Sequence, residues 1–418
     1  MTGEVDIAVV GAGAAGLAAG KRLQQAGVTF RILEARRVSG GRAWTDSETF
    51  PGIAFDRGCH WLHSASINPL REAADELGAA YLRQADWGDR QVFEDGHWVD
   101  TKDSGTWDRS FDAAIGAVMT MGRAGRDVAA AEAVDPGLPY IAAIRHIWTL
   151  MSSGEIEQVS ALDSARYRDT EENYPVAEGL GALIQRLAAG VPVELGVPVT
   201  GIDESGKGVT IATPKGTLKA KAVIVTASTN VLAQGGIRFT PALPPRISEA
   251  LDGVPIGCAE KVAFLLDKPL EDVPANSFTT VMVEGETALN FYLSPFGRPL
   301  AVAFLGGDHG RALTEAGEAA MADFARERFL AAFGADMARR IRGVTTTGWA
   351  VDPYIRGGYS HARPGKAHLR PRLAEPFSDR IFLAGEATSI DFFSTAHGAH
   401  LTGIRAAERA LSAIGIDG

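Results

Sequence analysis

Residues 5–34, VDIAVVGAGAAGLAAGKRLQQAGVTFRILE, contain the pattern that decides the fold. Val5 to Val10 form a short apolar run rich in β-branched residues, which is typical of a buried strand. Glycines follow at once, and a segment of helical composition leads to a second apolar run from Val28 to Leu33. The order strand, tight turn, helix and strand predicts a βαβ unit with a parallel pair of strands.

The turn inside this unit has the spacing of a dinucleotide-binding loop. Gly11, Gly13 and Gly16 form the pattern G-x-G-x-x-G, and Glu34 ends the next strand 18 residues beyond Gly16. The glycines permit a tight turn, a close approach of backbone N–H groups to a pyrophosphate, and close packing of helix on strand. The helix N-terminus suits phosphates, and Glu34 suits the hydroxyls of a ribose. With strand, helix and acid in register, the pattern predicts dinucleotide binding.

A second glycine-rich turn favours a tightly bound flavin over a mobile nicotinamide. Ala35 and Arg36 follow the acid, and Gly41 and Arg42 come soon after. Taken alone, this stretch also fits an ordinary surface turn with a solvated arginine. Backbone and guanidinium groups nevertheless give a second place that can hold phosphate. A pyrophosphate clamped on two sides is what a permanently bound flavin requires.

Composition and charge exclude several classes of protein. The chain has 418 residues, 46% hydrophobic and 22% charged, which predicts a globular protein of two or three domains. The net charge of -10 comes without a block of lysine and arginine, so we expect no nucleic-acid partner. Cys59 and Cys258 make neither a disulfide framework nor a metal-ligand spacing, so no metal site is predicted.

The sequence also gives expectations about location. No apolar run approaches the roughly 18–20 residues that span a bilayer. The first residues enter the first strand without the basic segment and cleavage site of a signal peptide. We therefore expect a cytoplasmic protein without a membrane partner. The oligomeric state stays open, with a homodimer as one option.

The rest of the chain alternates between helical and strand-like segments. The patterns predict mainly helix over 111–190, strands over 191–226, 259–266 and 289–305, one amphipathic helix over 314–333, a strand from Arg380 to Leu383 and a helix from about Gly398 to Ile414. The Pro-rich stretch FTPALPPR at 239–246 is interpreted as a connection between domains.

Six motifs follow one another along the chain: GAGAAGL with EAR and GGR, DRGCHWLH (56–63) with NPL (68–70), EKVAFLL (260–266), WAVDPYIRGGYS (349–360), FLAGEATS (382–389) and AHGAHLTGIRAAERAL (396–411). With these motifs the sequence resembles the flavin-containing amine oxidases, a family that includes monoamine oxidases, polyamine oxidases and flavin-dependent histone lysine demethylases. The resemblance covers nearly the whole chain, in the family's order.

The resemblance implies an α/β fold in which a Rossmann-like FAD-binding domain of the glutathione-reductase and amine-oxidase type carries an inserted α+β substrate-binding domain. The FAD domain would comprise 1–75, 190–235 and 350–418, and the substrate domain 76–189 and 236–349.

The resemblance also implies a set of FAD contacts. Gly58 to Trp61 would pass beside the flavin ring, the backbone of Val199 would meet the adenine, and Glu386 would bind the ribityl or phosphate portion. The last helix would direct its N-terminus at the flavin C2 oxygen. The whole predicted set is Gly11, Gly13, Ala15, Gly16, Glu34, Ala35, Arg36, Gly41, Arg42, Gly58, Cys59, His60, Trp61, Val199, Trp349, Tyr354, Gly385, Glu386, Thr395 and Ala396.

Two positions bear on how the flavin is attached. Gly358 stands where monoamine oxidases carry the cysteine that bonds covalently to flavin, so the resemblance implies non-covalent FAD. Cys59 is interpreted as a small core residue.

Lys261 is the strongest catalytic candidate. On the predicted strand 259–266 it shares an otherwise apolar face with Ala259, Ala263 and Leu265, because side chains alternate. The residues alone favour a strand-edge lysine that reaches water. The resemblance reverses this preference, because family members carry a lysine here that holds a water against flavin N5 and assists reaction with oxygen.

Further site residues follow from the resemblance. Tyr359 and Thr395 would flank the substrate, where monoamine oxidases place two tyrosines. His63 would lie near the amine, although a lone histidine is more often structural. Trp349 and Tyr354 would wall the pocket or fill the core. Trp61 stands where amino-acid oxidases carry an arginine for the substrate carboxylate, which argues against an amino-acid substrate; His397 and His400 are interpreted as packing residues of the last helix.

The resulting hypothesis is FAD-dependent oxidation of a primary or secondary amine or a polyamine. A hydride would pass from the carbon beside the nitrogen to flavin N5, and the imine would hydrolyse to an aldehyde or ketone. O2 would reoxidise the flavin and yield hydrogen peroxide. Two alternatives stay open: a desaturase of the carotenoid or protoporphyrinogen oxidase type, and a catalytically silent flavoprotein that serves as a binding module.

Overall fold

The computed structural model describes residues 3–83, 90–99, 105–284 and 287–416. The strands are β1 (Glu4–Val10), β2 (Phe30–Leu33), β3 (Thr45–Asp46), β4 (Phe55–Asp56), β5 (Trp61–His63), β6 (Arg90–Glu94), β7 (His97–Val99), β8 (Asn173–Pro175), β9 (Val193–Glu194), β10 (Gly201–Asp203), β11 (Val209–Thr213), β12 (Gly216–Val225), β13 (Arg238–Thr240), β14 (Ala259–Leu266), β15 (Ser277–Met282), β16 (Leu289–Leu293), β17 (Leu300–Gly306), β18 (Ile341–Thr346) and β19 (Ile381–Leu383).

The α-helices are α1 (Ala14–Gln25), α2 (Pro69–Glu76), α3 (Thr106–Arg123), α4 (Ile141–Ser152), α5 (Ala161–Arg166), α6 (Leu180–Leu187), α7 (Thr229–Ala233), α8 (Pro245–Gly253), α9 (Gly307–Ala316), α10 (Glu318–Phe333), α11 (Arg370–Ala374) and α12 (Ala396–Ala413). Among them, none is long and apolar enough to cross a membrane within the described parts of the chain.

The predicted βαβ unit lies at the centre of the first sheet. The strands follow the order β13-β10-β11-β12-β1-β2-β9, and β19 pairs with the end of β12. β1 is parallel to β2 and to β12, with Val10 opposite Leu33 and Val225. Ile7 and Val9 pack on the side of α1 and α12, whereas Ala8 and Val10 pack into a second core. Burial on both faces explains why this strand is apolar without alternation.

Close backbone approaches set the geometry around the glycine loop. Gly11 has a φ of +97°, which favours glycine. A Cβ on Gly16 would lie 1.9 Å from the carbonyl oxygen of Gly11, so the start of α1 can sit directly against the turn. A Cβ on Gly403 of α12 would lie 2.0 Å from the carbonyl oxygen of Ala15. α12 therefore packs backbone to backbone against the first turn of α1.

The second sheet has the order β18-β14-β17-β16-β15-β6-β7. Its pairs are antiparallel except for β6 and β15. One face packs on α10, where Phe264, Phe291 and Phe329 are fully buried together. The opposite face, which carries Lys261, packs partly on Phe50, Phe55 and neighbouring residues. The stretch around β4 and β5 thus lies against the second sheet.

The fold class is confirmed as α/β, and the predicted strand at 259–266 is confirmed residue for residue. The single helix predicted over 314–333 is wrong, because Gly317, with a φ of +105°, separates α9 from α10. The interpretation of 239–246 as a connection between domains is also wrong. Part of this stretch forms β13 at the edge of the first sheet, and the rest leads into α8, whose Ile247 lies in the core of that sheet.

The domain boundaries stay a prediction, but two segments fall on the other side of them. Residues 238–254 pack with the first sheet, although 236–349 was assigned to the substrate domain. α6 likewise packs with the first sheet through Leu180, Leu183 and Ile184, although 76–189 was assigned to the substrate domain. The sequence of a helical segment does not indicate on which of the two sheets it packs.

We predict that Gly403→Ala destabilises the protein, because the added methyl group overlaps the backbone of Ala15. The free energy of unfolding should fall by about 1–3 kcal/mol, measured by urea denaturation. Gly116→Ala is the matched control: Gly116 is exposed in α3, and a Cβ there meets no atom of the described residues within 4 Å. The free energy of unfolding of the Gly116→Ala protein should rise by up to about 1 kcal/mol. A Gly403→Ala protein as stable as the wild type would contradict the prediction.

Candidate active site

The segment 56–63, DRGCHWLH, is held by its own side chains. The buried carboxylate of Asp56 accepts hydrogen bonds from the Leu180 N–H (2.9 Å) and the Thr45 hydroxyl (2.5 Å), at the N-terminus of α6. Burial raises the pKa of Asp56, against these hydrogen bonds. The Arg57 guanidinium donates to Asp46 (2.9 Å) and to the Thr346 carbonyl (2.5 Å). The segment is therefore fastened both to α6 and to β18.

Lys261 closes this arrangement from the second sheet. Its residue is 8% exposed on β14, which lies between β17 and β18, so the strand-edge interpretation is wrong. Nζ donates to the carbonyl oxygens of Asp56 (2.7 Å) and Gly58 (2.6 Å) and to His60 Nδ1 (3.1 Å). Burial lowers the pKa of Lys261 to about 8, against the attraction of Asp56. The ammonium group thus lies beside the segment that was predicted to pass the flavin.

The neighbouring histidine and cysteine are neutral in this environment. Burial and the nearby Lys261 charge hold the pKa of His60 well below its usual value. Burial raises the pKa of the Cys59 thiol to about 12. The Cys59 N–H donates to the carbonyl of Arg42 (3.1 Å), and a Cβ on Gly58 would lie 1.7 Å from the same oxygen. Gly58 is therefore required by the contact with the second glycine-rich turn.

The acid at the end of β2 organises the dinucleotide end. Glu34 accepts hydrogen bonds from the N–H groups of Ala12 (2.7 Å) and Arg36 (2.8 Å). Burial raises the pKa of Glu34. The Arg36 guanidinium lies over the rings of Trp44 (5.0 Å) and Trp349 (5.3 Å) and bonds the Gly41 carbonyl (3.2 Å). Ala35 lies between the two charged residues in the same turn.

A chain of alternating charges connects Arg42 to the interior. Arg42 donates to Glu386 (2.8 Å) and to the Gly358 carbonyl (2.5 Å). Ser360 donates to Glu386 (2.6 Å), and the fully buried Arg370 donates to the Ser360 hydroxyl (2.8 Å). Burial alone would raise the pKa of Glu386, but Arg42, Ser360 and Arg370 outweigh it and hold the pKa below its usual value. Glu386 is therefore ionised.

Three buried charged residues of this region are not predicted by the sequence motifs. Arg370 forms a buried bidentate pair with Asp163, at 2.6 and 2.8 Å, across 207 positions of sequence. Neither lies in a quoted motif. Glu260, 2% exposed, accepts from the Thr347 hydroxyl (2.6 Å) and the Ala350 N–H (2.7 Å). The only signal was an acid directly before Lys261, on the opposite face of the strand.

Trp349 and Tyr354, the two residues predicted to line the pocket, lie in different surroundings. Trp349 is 5% exposed, and its Nε1 donates to the Arg57 carbonyl (3.1 Å), so it lies against the segment 56–63. Tyr354 is 45% exposed, and its backbone N–H donates to Asp352. The structure thus places Trp349 with Lys261 and its carbonyl partners and leaves Tyr354 at the surface.

Tyr359 and Thr395 are both held by backbone groups. The Tyr359 hydroxyl donates to the carbonyl of Leu150 in α4, and burial raises the pKa of Tyr359. The Thr395 hydroxyl accepts from the Gly398 N–H (3.0 Å) and donates to the Phe392 carbonyl (2.7 Å). Thr395 therefore caps α12, and Ala396 begins the helix. Their placement against a substrate stays a prediction.

His63 belongs to a partly buried polar group at the end of β5. Its Nδ1 lies 2.5 Å from Asn173 Oδ1, and burial lowers the pKa of His63. Asn68 donates to the His63 carbonyl (2.7 Å) and lies 3.3 Å from His397 Nδ1. Burial lowers the pKa of His397 to about 3 and that of His400 to about 4. These histidines are neutral at neutral pH.

Two further predicted cofactor residues, Val199 and Gly385, lie in connections next to strands of the first sheet. Val199 is 7% exposed in the connection that precedes β10. The Gly385 N–H donates to the Thr402 hydroxyl (3.0 Å) of α12. In the described ranges, no group of three or more His, Cys, Asp or Glu residues could hold a metal ion.

The arrangement fits the pyrophosphate of a dinucleotide. Over the described residues, no side chain caps the N-terminus of α1 and no acid lies in its first turn, and the nearby Glu34 carboxylate bonds the N–H of Ala12, which precedes the helix. Arg42 adds a cation from the second glycine-rich turn. Together with Glu34 and the buried Lys261 beside the segment 56–63, these features define an FAD-dependent oxidoreductase.

The chain belongs to the flavin-containing amine oxidoreductase family, whose model matches residues 14–105 and 145–411. FAD is its cofactor. This family assignment agrees with the resemblance that the six motifs indicate.

Individual relatives are similar over nearly the whole chain. Polyamine oxidase 2 of Arabidopsis thaliana is 28% identical over 439 residues, which cover 96% of this chain and 87% of the relative. Lysine-specific histone demethylase 1 homolog 2 of Oryza sativa subsp. japonica is 29% identical over 447 residues, which cover 97% of this chain and 57% of the relative. The chain thus spans little more than half the length of that demethylase.

Two solved structures share the fold. A putrescine oxidase redesigned in its cofactor binding superposes with a TM-score of 0.80 at 19% identity and covers 99% of this chain and 100% of that chain. Cyclohexylamine oxidase from Brevibacterium oxydans has a TM-score of 0.80 at 22% identity and covers 98% and 99%. At this identity the likeness concerns the fold alone.

We predict that Glu386→Gln destabilises the protein by about 2–4 kcal/mol, because Arg42 and Arg370 lose the carboxylate between them. The control Glu72→Gln makes the same change at an exposed position. The pKa of Glu386 lies below its usual value of 4.5. The loss of stability relative to the wild type should therefore have its full size above pH 4.5 and should shrink as the pH falls below 4.5. Urea denaturation at several pH values measures this; a difference independent of pH would contradict it.

Proposed function

We propose that this chain is an amine oxidase that uses non-covalent FAD to oxidise a primary or secondary amine or a polyamine, with O2 as the electron acceptor. The observation that carries the proposal is Lys261. It lies buried inside the second sheet, and its Nζ bonds the carbonyl oxygens of Asp56 and Gly58. This placement supports the role that the resemblance implies for the lysine.

The chemistry that bound FAD would supply is acceptance of a hydride from the carbon beside the amine nitrogen and transfer of two electrons to O2, which would take up two protons and leave as hydrogen peroxide. The substrate becomes an imine, and water converts it to an aldehyde or ketone and releases the amine nitrogen. The remaining work falls to the protein: binding, orientation and exclusion of bulk water.

The surroundings of Lys261 suit an amine that must lose its proton before it reacts. His60 and His63 are neutral because burial lowers the pKa of each, so they neither compete as cations nor repel the substrate. The Tyr359 hydroxyl is tied to the Leu150 carbonyl, which fixes the orientation of the ring. We propose that this ring and Thr395 flank the amine, with Trp349 behind the segment 56–63.

Two observations support non-covalent attachment. At Gly358 the chain offers no side chain, and a Cβ there would lie 2.7 Å from the Cβ of Ala259. The Cys59 thiol is protonated, because burial raises its pKa to about 12. A protein that loses its yellow colour on acid precipitation, with FAD recovered in the supernatant, supports this attachment.

A panel of amines tests the proposal. Purified holoprotein is incubated with putrescine, spermidine, benzylamine and tyramine while peroxide is followed, and each amine is also mixed anaerobically while the flavin band at about 450 nm is followed. Peroxide and bleaching with at least one amine are expected. Turnover of a polyene or polycyclic substrate without any response to amines would favour the desaturase alternative, and no bleaching by any compound would favour a silent binding module.

We predict that Lys261→Met slows the oxygen-dependent step by about 100-fold, because the buried ammonium group beside the segment 56–60 is removed at almost constant volume. Stopped-flow mixing of the reduced enzyme with O2 measures this step, and anaerobic reduction by the amine measures the other. Lys219→Met, on the exposed side of β12, is the control. An oxygen step as fast as in the wild type would remove Lys261 from the mechanism.

A further inference from the structure

A row of side chains extends from Lys261 across the second sheet. The register places Lys261 opposite Phe304, Phe304 opposite Asn290, and Asn290 opposite Thr280. Residues opposite each other on neighbouring strands share one face of a sheet. These four side chains therefore project from the same face, and strands spaced about 4.8 Å apart put Asn290 about 10 Å from Lys261.

The far end of this row has polar atoms without partners. Asn290 is 5% exposed and Thr280 is fully buried. The Asn290 Oδ1 and the Thr280 Oγ1 have no hydrogen-bond partner among the described residues. Buried polar atoms are nearly always bonded, because an unbonded one loses its hydration without replacement. Two adjacent acceptors on the face of Lys261 thus match a donor supplied by a ligand.

We propose that Asn290 and Thr280 form a second binding subsite, which accepts a hydrogen bond from a donor group at the end of the substrate remote from the reacting amine. The substrate class is then a bifunctional amine, either a diamine or an amino alcohol. This inference rests on the proposed function, because it places the reacting amine at the Lys261 end of the row.

The stretch between the two ends suits an alkyl chain. Phe304 is only partly buried although its strand neighbours Ala303 and Leu305 are fully or almost fully buried. The rings of His60 and Trp61 lie 5.5 and 6.3 Å from the Phe304 ring. An aromatic lining of this kind contacts methylene groups and leaves the polar ends to the two subsites.

The histidine that faces this row from α4 adds no positive charge, and Arg145 of the same helix has an exposed side chain that is paired with Glu157. His146 of α4 bonds to the backbone of Phe304, and burial lowers the pKa of His146 to about 4. It is therefore neutral at neutral pH. A cationic donor at Asn290 and Thr280 meets no repulsion from it.

The test compares diamines and amino alcohols with monoamines of equal chain length, over lengths that span about 10 Å. We expect the wild type to prefer one bifunctional series, in kcat/KM and in the dissociation constant from anaerobic flavin reduction. Asn290→Leu and Thr280→Val should each lower this preference by about tenfold, because each removes one acceptor. Preference for the diamine series identifies an ammonium donor, and preference for the amino alcohols identifies a hydroxyl donor.

Thr279→Val is the matched control. Thr279 precedes Thr280, is fully buried and also has an Oγ1 without a described partner, but it lies opposite Phe291 on the face that packs on α10. The preference of this variant should stay within about twofold of the wild type. FAD content and thermal unfolding are measured for all three variants, so that misfolding is recognised.

The outcomes separate this inference from the proposed function. If monoamines and bifunctional amines bleach the flavin anaerobically at equal rates, the subsite proposal is wrong and the proposed amine oxidation is supported. If the two oxygens only hold an internal water, the variants change stability and not preference, and the subsite is likewise overturned. Absence of bleaching by every amine overturns both proposals together.

Discussion

One buried ammonium group connects the two sheets at the site. A charge taken out of water must find hydrogen-bond acceptors, and Lys261 finds two of them in the backbone of Asp56 and Gly58. The carboxylate of the same aspartate bonds the N-terminus of α6, which packs with the first sheet. Asp56 therefore connects β14 to the first sheet. Its hydrogen bonds to Lys261 and to α6 together fix the position of the segment 56–60.

Four other charged residues of the site alternate in sign and are connected by hydrogen bonds, with one serine hydroxyl between two of them. The order is Asp163, Arg370, Ser360, Glu386 and Arg42, and the hydrogen bonds measure 2.6 to 2.8 Å. Each charge offsets the burial of the next, which is how a protein interior tolerates so many ions. The chain of hydrogen bonds ends at the second glycine-rich turn, so Arg42, the arginine predicted to bind the pyrophosphate, is oriented by residues far from it in sequence.

Sequence could predict the parts of this protein that depend on neighbours along the chain. The glycine spacing after β1 and the alternation along β14 gave the nucleotide loop and the face of Lys261, because both follow from local geometry. It could not predict the pairing of Asp163 with Arg370 or the alignment of Lys261 with Asn290, since these depend on how distant elements pack. The break at Gly317 was missed because the apolar pattern continues through it.

The contact between Gly403 and Ala15 has a consequence for how the protein is made. α1 leaves the ribosome before β19, which pairs with the first sheet, and before α12, which packs on α1; both follow about 360 to 400 residues later. At about 5–20 residues per second, the first strand and helix wait roughly 20 to 80 s for these partners. During this interval the apolar surface that α12 later covers is exposed to water, which is the condition under which partly folded chains tend to aggregate.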